Sequence, residues 1–597
     1  SDGLKCDIRS LLKDLELQAA AEPGQTQPEP GSTEPLRLAP QARIRSRYRP
    51  GRGRGHLTIE PVSAVRSPWD ERFTGLPSAA DGLEEQLQKE QADREWRFQD
   101  RLRERWALPI CEARPRLLEA IRRSRVTLVA AETGSGKSTQ VPQYLLDDAI
   151  ARGRGSTCHI VCTQPRRLAA VSLASRVAWE RGERAGDASV GYVVRWDERP
   201  SRPWGSMVFC TVGALLPRLS RLGASHIIVD EAHTRDIHTD LLLTVLLELL
   251  SLSEDLKVIV MSATLDVSKW QRHFGAFGCE LVQAGGRPYQ VDQYFLEDII
   301  EKLRWRPDAG GEPETLGVWS DIDCNRGFVD QLGQFRPETV NVVRSLPESM
   351  IPFHLLASII KWVDSWDKAG SVLVFLPGWH EIAVCSSFLH RDPQLRHLEF
   401  VPLHSSVPPS EQQRAFQPAN SGCRKVVLGT DIAETSITIP DILCVIDSGL
   451  ARIKKHTNLE VVWASQANLQ QRAGRAGRVQ QGICVHLLTR SRFQLLDSEP
   501  TPEMQRVPLD EAVLALCELR LDWCKVDPAD LQAWGSSAYV MTFLKKAPDP
   551  PPQKEVRNAF RELQHVGALD WEGYLTHLGA LLVRLPVAPA LGAALFM

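Results

Sequence analysis

Three clusters in this chain have the residue types and spacing to handle a nucleoside triphosphate. The first is "ETGSGKST", residues 132–139. Glu132, Thr133, Gly134, Ser135 and Gly136 offer backbone N–H groups around a phosphate, Lys137 can reach the outer phosphates, and Ser138 and Thr139 carry hydroxyls of the kind that ligate Mg2+. Ala131 stands where such a loop usually opens with glycine; that position only has to turn the chain away from a strand, which alanine does if its φ stays negative. The second cluster is "DEAH", 230–233. Of the paired carboxylates Asp230 and Glu231, one can hold the metal through water while the other orients and deprotonates an attacking water. The third is "QQRAGRAGR", 470–478, where Gln471, Arg472, Arg475 and Arg478 recur at a spacing that predicts one shared helical face. Arginine forks aimed at a γ-phosphate stabilise the charge that spreads over it in the transition state. Each cluster alone has a plainer reading, as a Gly/Ser turn, an acidic surface turn or a basic helix. Together they point to phosphoryl transfer.

Such residues must be presented by strands and helices. From about residue 110, apolar runs such as "VTLVAA", "HIVCTQP", "HIIVDEAH" and "KVIVMSAT", then "SVLVFLPG", "KVVLGTD" and "ILCVIDS", alternate with helical stretches. Fully apolar strands ending in polar loops predict parallel sheets covered on both faces. The expected class is α/β, with two tandem parallel-sheet units. Residues 110–290 carry the first two clusters and 291–490 the third, so a nucleotide would be clamped between the units. Near the join, "RPDAGGEPETLGVWSDIDCNRG" reads as a loop insertion without a core of its own. Residues 83–109 are dense in helix formers and predict an exposed helical linker, and 491–597 turn mostly helical. Residues 1–82 are expected to be mostly disordered. Within them "RIRSRYRPGRGRG", 43–55, reads equally as an RNA grip or as a solvated linker.

The 597 residues suffice for several domains, and a net charge of -3 leaves any nucleic-acid binding to local basic surfaces. The longest apolar run, 241–252, holds Glu248 and is too short to span a bilayer, so it reads as a buried helix and no membrane partner is expected. Thirteen scattered cysteines without a CxxC pair suggest a reducing compartment, nucleus or cytoplasm, with organelle targeting left open.

In order and spacing, "ETGSGKST", "TQPRRLAA" (163–170), "TVGALL" (211–216), "DEAH", "SAT" (262–264), "FLPGWHEI" (375–382), "TDIAETSITI" (430–439) and "QRAGRAGR" resemble the superfamily 2 helicases of the DEAH/RHA family, nearest the RNA helicase A branch. The resemblance implies two RecA-like domains followed by a winged-helix domain; the family's ratchet and OB-fold modules would follow at about Met597, and either they are missing from this sequence or the protein works without them. It implies ATP, or another nucleoside triphosphate, with Mg2+ held by Ser138, Asp230 and Glu231. Gln471 would position water, Arg475 and Arg478 would be the fingers, and His233 with Ser262 and Thr264 would relay the nucleotide state. Arg176 and Phe416 would sandwich the base. RNA, single-stranded or tailed duplex, would run along Arg166, Arg167, Arg195 and Thr211 on one domain and Ser405 and Thr430 on the other, with "LARIKKHTNLEVV" (450–462) as a duplex wedge or a plain surface hairpin. Thr234 and Asp431 depart from the family's "DEAHER" and "TNIAETS" and put coupling in doubt. The implied activity is RNA helicase, 3' to 5', with room for a protein activator; a scaffold with weak or uncoupled turnover is the alternative.

Overall fold

The computed structural model describes residues 82–596 apart from short stretches, the longest being 308–314, 318–332, 418–422, 435–438, 520–525 and 527–530. The arginine–glycine segment, Thr133 and Thr264 lie outside the described residues, as does most of the insertion after 306.

The apolar runs form two sheets. The first contains β1 (Val126–Ala131), β2 (His159–Gln164), β3 (Val190–Val194), β4 (Asp197–Arg199), β5 (Ser206–Thr211), β6 (His226–Val229), β7 (Lys257–Ser262) and β8 (Cys279–Ala284). Their order is β4-β3-β5-β2-β6-β7-β1-β8, parallel except for the β3–β4 hairpin. β9 (Val291–Tyr294) crosses to the second sheet. The only other strands described before that sheet resumes are a small antiparallel pair, β10 (Thr315–Gly317) with β11 (Met350–Pro352). The sheet continues with β12 (Ser371–Phe375), β13 (Glu399–Leu403), β14 (Lys425–Gly429), β15 (Ile442–Asp447) and, after the antiparallel hairpin of β16 (Leu450–Lys455) and β17 (Asn458–Trp463), β18 (Gly482–His486). Its order is β13-β14-β12-β15-β18-β9, all parallel. Both are the parallel sheets the strand pattern predicts: apart from β4 all strands in each sheet run one way, so the loops at their C-terminal ends open on one edge.

Two expectations change. Residues 83–106 are not one exposed helix but two, Leu83–Arg97 and Gln99–Trp106, docked on the first domain. Leu87 is fully buried, Glu84 accepts from the Gly155 and Ser156 N–H groups, and Glu90 pairs with Arg202. A polar composition reads as solvent-facing, but here the polar groups make the attachment. The second change concerns the C-terminal helices. Asp510–Glu518, Ala538–Lys545 and Gln553–His565 share one apolar core with the first sheet, through the helix Ile237–Leu252. Leu241, Leu242, Leu243 and Leu246 of that helix are fully buried because it is covered on two sides. Among the described residues no helix is long and apolar enough to cross a membrane.

Candidate nucleotide site and nucleic-acid face

The phosphate loop joins β1 to the helix Lys137–Ala151. Gly134 and Gly136 have φ of 91° and 93°, the left-handed region where a side chain is strained, and a Cβ on Gly136 would meet Leu108 Cδ1 at 2.8 Å. The loop is thus backed by the chain before the first domain, where the Ile110 N–H donates to Ser135 O at 3.0 Å. Ala131 ends β1, buried and paired in register with Ala284, so it keeps the strand conformation its position allows.

Asp230 and Glu231 follow β6. Glu231 sits at φ 54°, ψ 39°, a costly conformation for a non-glycine residue of the kind that collects at functional sites. The turn brings the carboxylates together: Asp230 accepts from Gln164 Nε2 at 2.7 Å and from the Ser138 hydroxyl, and Lys137 Nζ lies 3.5 Å from Glu231 Oε1. Burial and the neighbouring Glu231 charge push the Asp230 carboxyl up to about 6. Burial also acts to raise Glu231, but positive charge around it, that of Lys137 above all and also of Arg475, outweighs it and holds that carboxyl below its usual range. Burial pushes His233 down to about 4, so its ring is neutral. His233 Nδ1 faces Ser262 Oγ at 3.3 Å and the Ala263 N–H at 3.5 Å, and Nε2 lies 3.3 Å from Glu231 Oε2.

The third cluster closes the site from the other domain. The Gln471 amide nitrogen, Nε2, lies 2.7 Å from His233 Nε2 and donates to it. Arg475 is buried and close enough for its charge to act on Glu231. Arg478 lies over the phosphate loop, its Nε 3.5 Å from where a Gly134 Cβ would stand. The expected single helical face fails, however. The helix ends at Ala473, Arg475 and Arg478 lie in the turns beyond it, and Arg472 points back into its own domain, bonding Glu434 at 2.9 Å and Asp447 at 2.9 Å. Two glycines in four residues end the helix.

Of the expected base contacts, Arg176 is bound to Glu180 at 2.7 Å and stands over the Trp179 ring at 4.8 Å, while Phe416 packs partly buried against the core of the second domain. Glu132 and Thr139 flank the loop, and the Thr139 hydroxyl donates to Gly136 O at 3.2 Å. The expected RNA contacts all sit at strand ends: Arg166 and Arg167 after β2, Arg195 after β3, Thr211 closing β5, Ser405 after β13 and Thr430 after β14. The order of the first sheet therefore separates two tasks along one edge. Ends of β3, β5 and β2 form the basic side, while ends of β6, β7 and β1 form the nucleotide side, and "DEAH" lies where they meet.

A family model described as the helicase conserved C-terminal domain matches residues 353–480. The ATP-dependent DNA/RNA helicase DHX36 of Bos taurus is 38% identical over 544 residues, covering 85% of this chain and 52% of the relative. The ATP-dependent RNA helicase DHX30 of Gallus gallus is 36% identical over 503 residues, 82% of this chain and 37% of the relative. The crystal structure of Escherichia coli DEAH/RHA helicase HrpB matches with a TM-score of 0.61 at 28% identity, over 82% of this chain and 54% of that one. The chain belongs to the DEAH/RHA helicases. It spans about half the length of the curated DHX36 relatives it matches.

Against the pattern of DEAH/RHA helicases, the two departures acquire local explanations. Thr234 donates to Asp236 at 3.0 Å, and the next residue, Arg235, finds its carboxylates elsewhere: a two-pronged bond to Asp240 at 2.9 Å and a further bond to Asp549 in the C-terminal segment. Asp431 forms an ion pair across the domains, its Oδ2 3.5 Å from Arg166 NH2. Sequence reasoning missed Gln164 as a direct partner of Asp230, while the expected pairing of His233 with Ser262 is present. Gln164 lies in an apolar strand, and the only signal was a polar residue at the strand's end.

Proposed function

We propose that this chain is an RNA-stimulated ATPase that moves 3' to 5' along single-stranded RNA and separates duplexes or remodels RNA–protein complexes. The contact that carries this reading is the seam itself: Gln471 of one domain on His233 of the other, with Arg475 beside Glu231 and Arg478 over the loop. Arginines supplied from a second, separately moving domain make the chemistry depend on closure, and hydrolysis then releases the clamp. Magnesium fits the donor set, because the Ser138 hydroxyl and the Asp230 carboxylate are hard oxygens already in contact, with the buried Glu231 carboxylate beside them. Bound there, it would neutralise charge on the phosphates while Glu231, kept ionised by Lys137, accepts the proton of the attacking water.

Backbone contacts at strand ends support binding with little sequence preference. The relatives include both a DNA/RNA helicase and an RNA helicase. The β16–β17 hairpin, with Leu459 exposed near its tip and the His456 N–H bonded to Arg506 O at 2.7 Å, is braced from the C-terminal segment and suits a wedge. Steady-state phosphate release with no polymer, with oligo-U and with a matched DNA strand tests the reading. Stimulation by RNA is expected. RNA binding with no phosphate release in any condition would leave only a scaffold, and equal stimulation by DNA would remove the RNA preference.

A further inference from the structure

A buried chain of polar contacts joins the phosphate loop to Arg176. Gln140 and Gln143 on the phosphate-loop helix are fully buried, and both donate through Nε2 to Glu180 Oε2 at 2.8 Å. The other oxygen, Glu180 Oε1, takes the Arg176 Nε at 2.7 Å. Gln140 also donates to the Thr139 hydroxyl at 3.0 Å and accepts from Arg105 Nε at 2.8 Å. Arg105 belongs to the docked helix Gln99–Trp106, whose Glu104 stands 3.7 Å from Arg176 NH2.

The division of labour within Glu180 is informative. A helix–helix contact needs no carboxylate; apolar side chains of the same volume would hold it as well, and an ion buried there must be fully paired to be tolerated. Glu180 is buried and saturated by three donors from three residues. One of these, Arg176, is half-exposed, and a long flexible side chain at such a site keeps many rotamers unless a bond removes them. The bond at Nε and the Trp179 ring, 4.8 Å from the guanidinium carbon, together fix the plane of the group.

We propose that Glu180 is the positioning residue of the base site: it sets the Arg176 guanidinium for stacking and registers it to the phosphate loop through Gln140 and Gln143, while Arg105 of the docked helix holds Gln140 from behind. This rests on the reading of Arg176 as a base contact. It makes the segment before the first domain part of the nucleotide site rather than a linker.

Glu180→Gln in the full chain tests it, because the glutamine carbonyl can still accept from Gln140 and Gln143 while its amide cannot accept from Arg176. The readouts are KM and kcat for ATP and the inhibition constant of inorganic pyrophosphate, which has phosphates but no base. The expected result is an ATP KM raised about tenfold, ~1.4 kcal/mol, with kcat and the pyrophosphate constant unchanged. Arg176→Ala should do the same, and the double variant should add nothing further. Equal losses for ATP and pyrophosphate, or additive effects, overturn the inference. An Arg176→Ala chain with wild-type KM overturns instead the base-contact reading beneath it. Should Glu180→Gln not fold, Arg105→Met reads the same KM shift from the other end, since Asp147 keeps its bond to Arg181 at 2.8 Å; an unmoved ATP KM in that variant overturns the proposal.

Discussion

Asp431→Asn should strengthen RNA binding. The carboxylate lies 3.5 Å from Arg166, with 59% and 33% of the two side chains exposed. Two unit charges near 4 Å interact by ~1 kcal/mol in a water-like medium, and exposed pairs usually net less than that. Replacement by asparagine helps an incoming phosphate twice: it releases Arg166 from a competitor and removes a like charge from the path. Each gain is a fraction of a kcal/mol, so the sum is about 1 kcal/mol, roughly fivefold in affinity. The change should also depend on salt. If Arg166 neutralises one more phosphate, the slope of log affinity against log salt steepens by about 0.7, the single-strand value per contact. Anisotropy of a labelled oligo-U across a salt series measures both quantities. Because the pair is exposed, the melting temperature should hold. An unchanged slope and affinity would refute competition at Arg166. Weaker binding would show that the carboxylate itself serves the RNA.

Arg475→Ala should lower kcat by about a thousandfold with ATP still bound, and Arg475→Lys should restore little, because the forked geometry as well as the charge is required; Gln471→Ala, which removes the bond to His233, should cost on the order of a hundredfold in kcat, both read by phosphate release under saturating RNA. Since the Asp230 carboxyl is raised to about 6, kcat/KM should fall as pH drops through that value. A raised folded-state pKa means the native state holds the proton more tightly, so the ionised group costs stability as pH rises from its ordinary range to about 6. Asp230→Asn should therefore melt higher than wild type at pH 8, lose that advantage near pH ~4, and turn over no ATP at either. Phe543→Ala, in the shared core, should cost ~3–5 kcal/mol and lower a single thermal transition for the first domain and C-terminal helices together; two separated transitions would show that the cores are independent.

Much of the site was legible because its chemistry is written locally. A phosphate loop needs its glycines, lysine and hydroxyl in one short run, and "DEAH" needs its carboxylates side by side, so Lys137, Asp230 and Glu231 could be placed from types and spacing alone. The arginines were harder. Four residues at helical spacing read as one face, yet Gly474 and Gly477 end the helix and send Arg472 inward to Glu434 and Asp447 while Arg475 and Arg478 turn to the seam. The glycines were visible; their consequence for direction was not, because it depends on which partners wait on either side. The docked helices at 83–106 escaped for a related reason: Glu84, Glu90 and Arg105 bond to groups 71, 112 and 35 residues away, and no local pattern encodes such distances.

These distant attachments bear on how the protein could couple turnover to movement. Arg235 directly follows the turn that aims Glu231, is itself held at φ 50°, and bonds both Asp240 at the start of the helix Ile237–Leu252 and Asp549 in the C-terminal segment. The Glu503 N–H donates to Arg235 O at 3.0 Å, and its side chain accepts from the Ile237 N–H at 3.0 Å. The loop carrying Asp230 and Glu231 is therefore bonded through one residue to the helices that share its core, and through His233 to the opposite domain. A shift of Gln471 on closure is thus opposed by a chain fixed at both ends. The strained backbone at Glu231 and Arg235 lies between those fixed points, where a small displacement of either domain acts most directly on the Glu231 carboxylate.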